Sequence, residues 1–192
     1  MQIAILGWGS LIWCPGSLQI KSCWHRDGPD LPIEFARVSK DGRLTLVIHA
    51  GSEDQQTLWA AAVSDDVEVV RESLRAREET GARFIHSATV AGVFSDGVGK
   101  EVRDSIENWL KARPGLKGCV WTGLPSNWKE TRHSDFSVTG AVEYLNNLLE
   151  PSRAREYIQN TPRQIQTTVR GAVRKKLQWL DAELSPALFT ED

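Results

Sequence analysis

The stretch Ile3-Ala4-Ile5-Leu6-Gly7-Trp8-Gly9-Ser10-Leu11 is an apolar strand that runs directly into two glycines and a serine. A strand that ends this way lets the backbone turn tightly. It also leaves successive N–H groups without a ladder partner, free to face an anion or a carbonyl oxygen. Two readings fit, a ligand cradle and a tight strand-to-loop turn with no ligand, and the pattern alone does not separate them. The better-known glycine motifs are excluded. A dinucleotide fingerprint would place a third glycine where Ile12 stands, and the Gly-Lys-Ser/Thr of a phosphate-binding loop is absent. The run Leu11-Ile12-Trp13-Cys14-Pro15-Gly16 that follows is apolar and closes on a Pro-Gly turn signal, so a hydrophobic wall is expected behind the turn.

A second informative stretch follows. Thr57 to Val63 reads as a strand, and Ser64-Asp65-Asp66 offers N-cap choices for a helix to about Glu79, with Asp65 and Glu68 spaced as a capping box and Gly81 as the stop. Val67, Val70 and Leu74 form the buried stripe of that helix. At 3.6 residues per turn Glu78 returns to within about 20° of the face of Val67, whereas Glu79 lies about 120° away. A carboxylate thus takes a place where leucine is expected. Its position near a helix C-terminus disfavours negative charge, and burial there raises a carboxyl pKa, the direction a general base needs. The plainer alternative is a frayed helix end, with Glu78 solvated or paired to Arg75 or Arg77.

The chain has 192 residues, enough to bury one core without metal or disulfide staples, and a single domain over 1–192 is expected. Its formal net charge of −2 announces neither a nucleic-acid partner nor a basic one. Cys14, Cys23 and Cys119 are odd in number and widely spaced, which favours a reduced, cytoplasmic setting over a disulfide scaffold. No signal peptide or membrane span is read. His25, His49, His86 and His133 show no metal-ligand spacing, so neither a metal nor another cofactor is expected.

Ile33 to Ser39 and Arg43 to Ala50 flank Lys40-Asp41-Gly42 as a hairpin, and a β-rich run extends from Arg83 to Phe94. Lys100 to Arg113 is an amphipathic helix with Val102, Ile106, Trp109 and Leu110 on one side, followed by a short strand Gly118–Trp121 and a loop through Trp128. A helical part from about 135 to 192 is expected, with helices at Ala141–Leu149, around Arg153–Asn160, and from Pro162 to Leu184. The last carries Ile165, Val169, Ala172, Leu177 and Leu180 on one side. Its basic residues, Arg163, Arg170, Arg174, Lys175 and Lys176, read as a solvated face. Connections this short favour an α+β fold built on a compact, barrel-like mixed sheet with flanking helices. Trp59, Trp109 and Trp179 fall on apolar periodicities and belong to the core. Trp8 and Trp13 flank the glycine turn, and Trp121 and Trp128 are candidates to line or cover a pocket.

The strand followed by Gly-Trp-Gly-Ser-Leu-Ile-Trp-x-Pro-Gly resembles the opening of the gamma-glutamylcyclotransferase superfamily, whose hallmark is Tyr-Gly-Ser and an apolar residue or Asn. The likeness covers the N-terminal half, to about Phe94. Trp8 departs from it, since a Tyr is usual there and its hydroxyl is missing. The resemblance implies the mixed barrel of that family and a reaction in which the substrate's alpha-amino group attacks its own side-chain carbonyl, giving 5-oxoproline and a free amine. Such a ring closure needs the chain held folded, a proton acceptor, an oxyanion site and a proton donor for the departing amine. The family's catalytic Glu ends this helix, which makes Glu78 the expected acid/base, with Glu79 as the alternative. Gly7, Trp8, Gly9, Ser10 and Leu11 become the substrate cradle, and Arg37, on a strand, the candidate partner for the substrate's alpha-carboxylate.

The expected partner is a small gamma-glutamyl compound, with neither nucleic acid nor membrane, and a homodimer stays among the alternatives. Two other functions remain open, gamma-glutamyl transfer to another amine and a binding module without turnover. Ser10 or Cys14 as a nucleophile is the minor alternative.

Overall fold

The computed structural model describes residues 1–190. Seven strands and six helices occur in the order β1 (Gln2–Gly7), β2 (Asp30–Val38), β3 (Leu44–Ile48), β4 (Asp54–Gln56), β5 (Leu58–Ala61), α1 (Val67–Glu78), β6 (Ile85–Thr89), α2 (Lys100–Lys111), β7 (Leu116–Thr122), α3 (Trp128–Arg132), α4 (Val138–Asn146), α5 (Ser152–Asn160) and α6 (Thr168–Leu177). The fold is α+β, as the sequence implies. Its strands fall into two sheets, β5-β1-β7-β6 and β3-β2-β4, and no closed barrel forms among the described residues.

The central strand explains its own composition. β1 pairs antiparallel with β5 and parallel with β7, and everything in it from Ile3 onward is buried. A strand covered on both sides reads as a continuous apolar run rather than an alternation. β7 is longer than the short strand expected, because its start is recruited to pair with Gln2 and Ile3. The hairpin of β2 and β3 forms where the sequence places it, turning through Ser39 to Gly42 with Gly42 at φ 81°. Between Phe35 and Arg37 the register shifts by one residue. This bulge moves Arg37 off the face of Phe35 and onto that of Thr45 and Val47.

α2 buries the four residues its periodicity names, Val102, Ile106, Trp109 and Leu110. The C-terminal part departs further from expectation. α6 covers only Thr168–Leu177. Thr167 caps its start, and Gln178 ends it in the left-handed conformation, leaving Leu180 exposed. α3 occupies what reads as loop, and the β-rich run from Arg83 shortens to β6, preceded by a helical turn at Ala82–Phe84.

Arg170 corrects the picture of a solvated basic face. Its side chain is fully buried and donates to the carbonyls of Thr161 (2.5 Å), Pro162 (2.6 Å) and Ile165 (2.6 Å) and to the Asp181 carboxylate (2.7 Å). One guanidinium thereby joins the backbone before α6 to the Asp181 side chain after it, which a helix running unbroken from 162 to 184 would not need. Glu34 acts at the same helix from the second sheet. Also buried, it accepts from the N–H of Val169 at 3.2 Å, at the α6 N-terminus where a negative charge is favoured. Arg170→Ala removes the donor from three carbonyls and leaves Asp181 with Arg174 alone, and we expect a loss of about 3–5 kcal/mol in urea unfolding. Lys175→Ala, on the exposed side of the same helix, should stay within about 0.5 kcal/mol. Equal values for the two would refute the structural role of Arg170.

Candidate functional site

The first determinant of the site is the end of α1. Of the three N-cap choices Asp66 is the one used, accepting from the Glu68 N–H at 2.9 Å, while Asp65 pairs with Lys117 rather than serving a capping box. Val70 and Leu74 are buried, and Glu78 is the last helical residue on their stripe. The helix stops at Glu79, before Gly81, because Glu79 adopts a left-handed backbone at φ 49°. The same left-handed ending closes α3 at His133 and α6 at Gln178. At Glu79 it separates the two neighbouring carboxylates. Glu79 is exposed, while the Glu78 side chain is only 18% exposed. Burial raises the Glu78 carboxyl above the ordinary glutamate range, and the Arg77 guanidinium, 3.2 Å away, pulls in the opposite direction.

Glu78 faces the glycine turn across a cavity of about 480 Å³. The turn supplies Gly7, Trp8, Gly9, Ser10 and Leu11 to the lining, and the second sheet supplies Arg37, Thr45 and Leu46. All seven site residues expected from the sequence therefore line a single space. The amide groups of Gly9 and Leu11 have no backbone acceptor among the described residues, whereas Ile12 and Cys14 close turns onto Gly9 and Ser10. Thr122 adds a buried hydroxyl with no hydrogen-bond partner. Arg37 lines the cavity from β2, just after its bulge. One of its terminal nitrogens donates to the Pro125 carbonyl at 2.6 Å.

The two glycines work through space rather than through backbone angle, since neither has positive φ. A Cβ on Gly7 would lie 2.8 Å from the Trp24 ring, and one on Gly9 would collide with the Tyr157 hydroxyl. Trp8 is buried, and its indole N–H donates to the Leu46 carbonyl at 3.3 Å, which ties the turn to β3.

Tyr157 is the residue that sequence reasoning missed. It comes from α5, beyond the stretch that carries the resemblance, and no local motif marks it. It is 6% exposed, packed edge-on against Trp13 and Phe35, with the Arg43 guanidinium over its ring. Burial pushes its hydroxyl up to about 12. The Glu78 charge acts in the same direction, while Arg43 and the backbone at Leu46 and Ser10 oppose it. Arg77, in sequence terms only a salt-bridge candidate, also donates to Ser10 Oγ at 3.3 Å and to the Cys14 carbonyl at 2.7 Å. It therefore braces Glu78 against the cradle.

Other expectations fall elsewhere. Trp121 and Trp128 are buried and line no part of this cavity, where Thr122 and Leu124 stand instead. Trp13 backs Tyr157 from outside it. No histidine lines the cavity, so Ser10 has no base of that kind beside it, and Cys14 is exposed outside the cavity. Burial pushes the Cys119 thiol up. Among the described residues no group of three or more His, Cys, Asp or Glu is placed to hold a metal, and no helix is long and apolar enough to cross a membrane.

No protein-family model matches the chain, and no curated protein matches it. Among solved structures it is similar to the crystal structure of a selenomethionine-labelled gamma-glutamyl cyclotransferase specific to glutathione from yeast. The identity is 14% and the TM-score 0.47, over 93% of this chain and 96% of that one.

Proposed function

We propose that this protein closes a gamma-glutamyl amide to 5-oxoproline and releases the free amine, with Glu78 as the single acid/base. The observation that carries this reading is the placement of one buried carboxyl group, raised above its ordinary range, across a small cavity from unpaired backbone amides.

The Glu78 carboxylate accepts a proton from the substrate's alpha-ammonium group. The freed nitrogen attacks the side-chain carbonyl carbon, forming the ring C–N bond and placing a negative charge on the carbonyl oxygen. The amides of Gly9 and Leu11 face that oxyanion and stabilise it. As the oxyanion collapses, Glu78 gives its proton to the departing nitrogen and the bond to that nitrogen breaks. Glu78 then takes the second proton from the ring nitrogen, leaving the neutral lactam, and passes it to the released amine, which departs as an ammonium, so no net proton is consumed. A group that both takes and gives a proton near neutrality works best with a pKa raised toward neutrality, and burial moves Glu78 in that direction. Arg37 keeps guanidinium donors beyond the one given to Pro125, and these suit the substrate's alpha-carboxylate.

Release of 5-oxoproline from a panel of gamma-glutamyl compounds tests the reading. Glu78→Gln preserves shape and removes proton transfer, so turnover should fall by about two to four powers of ten with binding and folding retained. Full activity in this variant would remove Glu78 from the mechanism. Product that appears only when an acceptor amine is added would put acyl transfer in place of cyclisation, and thermal stabilisation by a ligand without product would leave a binding module.

The acid limb of the wild-type rate profile should lie above the ordinary glutamate range, because the base works deprotonated and burial holds its proton more tightly. Arg77 is the one cation that opposes this, so Arg77→Met should move the limb to higher pH. A shift downward would contradict the assignment. Gly9→Ala should lose about 1–3 kcal/mol through the clash with Tyr157, and Tyr157→Phe in the same chain should recover part of that loss in thermal unfolding.

A further inference from the structure

A second cavity, of about 790 Å³, also borders Tyr157. It shares Ser10, Asp41, Arg43, Arg77, Glu79 and Tyr157 with the first, so the two are neighbouring chambers with a common wall. Its own lining comes from Trp13, Cys14, Gly16 and Ser17 after the cradle, and from Arg153 and Glu156 on α5. In the cyclisation chemistry, on which this inference rests, the glutamyl half must fold over Glu78 and the cradle, and the amine half must lead away from them.

The charges of the second chamber are unequally committed. Arg43 is held by Asp41 at 2.9 Å, and Asp41 also accepts from Ser39 at 2.6 Å. Arg77 is engaged by Glu78, Ser10 and the Cys14 carbonyl. Arg153 approaches only Asp41, at 3.7 Å, and its side chain is 74% exposed, so it can turn toward a ligand. Glu79 and Glu156, both exposed, stand on the same lining.

We propose that the second chamber is the subsite for the departing amine and that this amine carries a single carboxylate, received by Arg153. A neutral alkylamine gives Arg153 nothing to bind. A leaving group with two carboxylates sets its second one against Glu79 and Glu156, and repulsion of this kind discriminates as effectively as an attractive contact. The substrate class is then a gamma-glutamyl amino acid or short peptide with one free carboxylate.

The test compares a gamma-glutamyl amino acid and a gamma-glutamyl dipeptide, each beside its own C-terminal amide, and gamma-glutamylaspartate. Wild-type enzyme should prefer the acid over the amide in kcat/KM by about fivefold to tenfold for at least one pair, chiefly through KM, as a charge-assisted contact at a half-open site allows. Arg153→Ala should collapse that ratio toward one, and Arg153→Lys should keep part of it. Glu156→Gln should improve gamma-glutamylaspartate relative to the singly charged acid. A ratio that Arg153→Ala leaves untouched overturns the subsite while the cyclisation reading stands. If no compound yields 5-oxoproline, the cyclisation reading falls, and thermal stabilisation by each acid and its amide then decides the subsite. A preference for the acid that depends on Arg153 retains it, and equal or absent shifts overturn it.

Discussion

The contact between Gly9 and Tyr157 holds the site together. The tyrosine ring is fixed by Trp13 and Phe35 on its edges and by Arg43 over its face, and its hydroxyl lies where a Cβ of residue 9 would be. Only glycine at that point lets α5 close onto the turn after β1. The same closure makes Tyr157 the partition between the two chambers and brings its hydroxyl near enough for the charge on Glu78 to be felt. A glycine that reads as a loosener of backbone is here a spacer for an aromatic ring.

The N-terminal half of this arrangement is legible in the sequence because its determinants are local. A continuous apolar run places β1, the Lys40-Asp41-Gly42 turn places the β2–β3 hairpin, period-3.6 patterns place α1 and α2, and a carboxylate on an apolar stripe singles out Glu78. The bulge before Arg37 is invisible in composition, since Phe35-Ala36-Arg37 reads as ordinary strand and the shift arises only on pairing with β3. Apolar spacing continues past the end of α6 at Leu177, so periodicity alone carries the helix too far. Gln178 turning left-handed and Arg170 gathering the carbonyls of residues 161 to 165 are tertiary decisions that override it. Tyr157 could not be found from motif reading, because its partners lie more than a hundred residues away in the chain.

Three buried ionisable groups meet the cost of burial in different ways. Arg170 is saturated by carbonyls and Asp181, and Glu34 by its own neighbouring N–H and the first turn of α6. Both have satisfied partners and no opening toward a cavity lining described for either chamber. Glu78 has one cation beside it and open space in front, and so keeps the capacity to exchange a proton. Partner count thus separates structural charges from a reactive one more clearly than depth of burial does.

The capping of α6 by Glu34 ties two segments that are synthesised far apart. A nascent chain that has emerged only through β7 carries the cradle, the hairpin and Glu78, but it has no helix dipole to meet Glu34 and no ring to sit on Gly9. Glu34 in that intermediate must stay hydrated or take up a proton, which keeps β2 from settling into an apolar interior. The wall that Tyr157, Arg153 and Glu156 contribute is likewise the last part of the two chambers to be synthesised, since every other lining residue lies before residue 125.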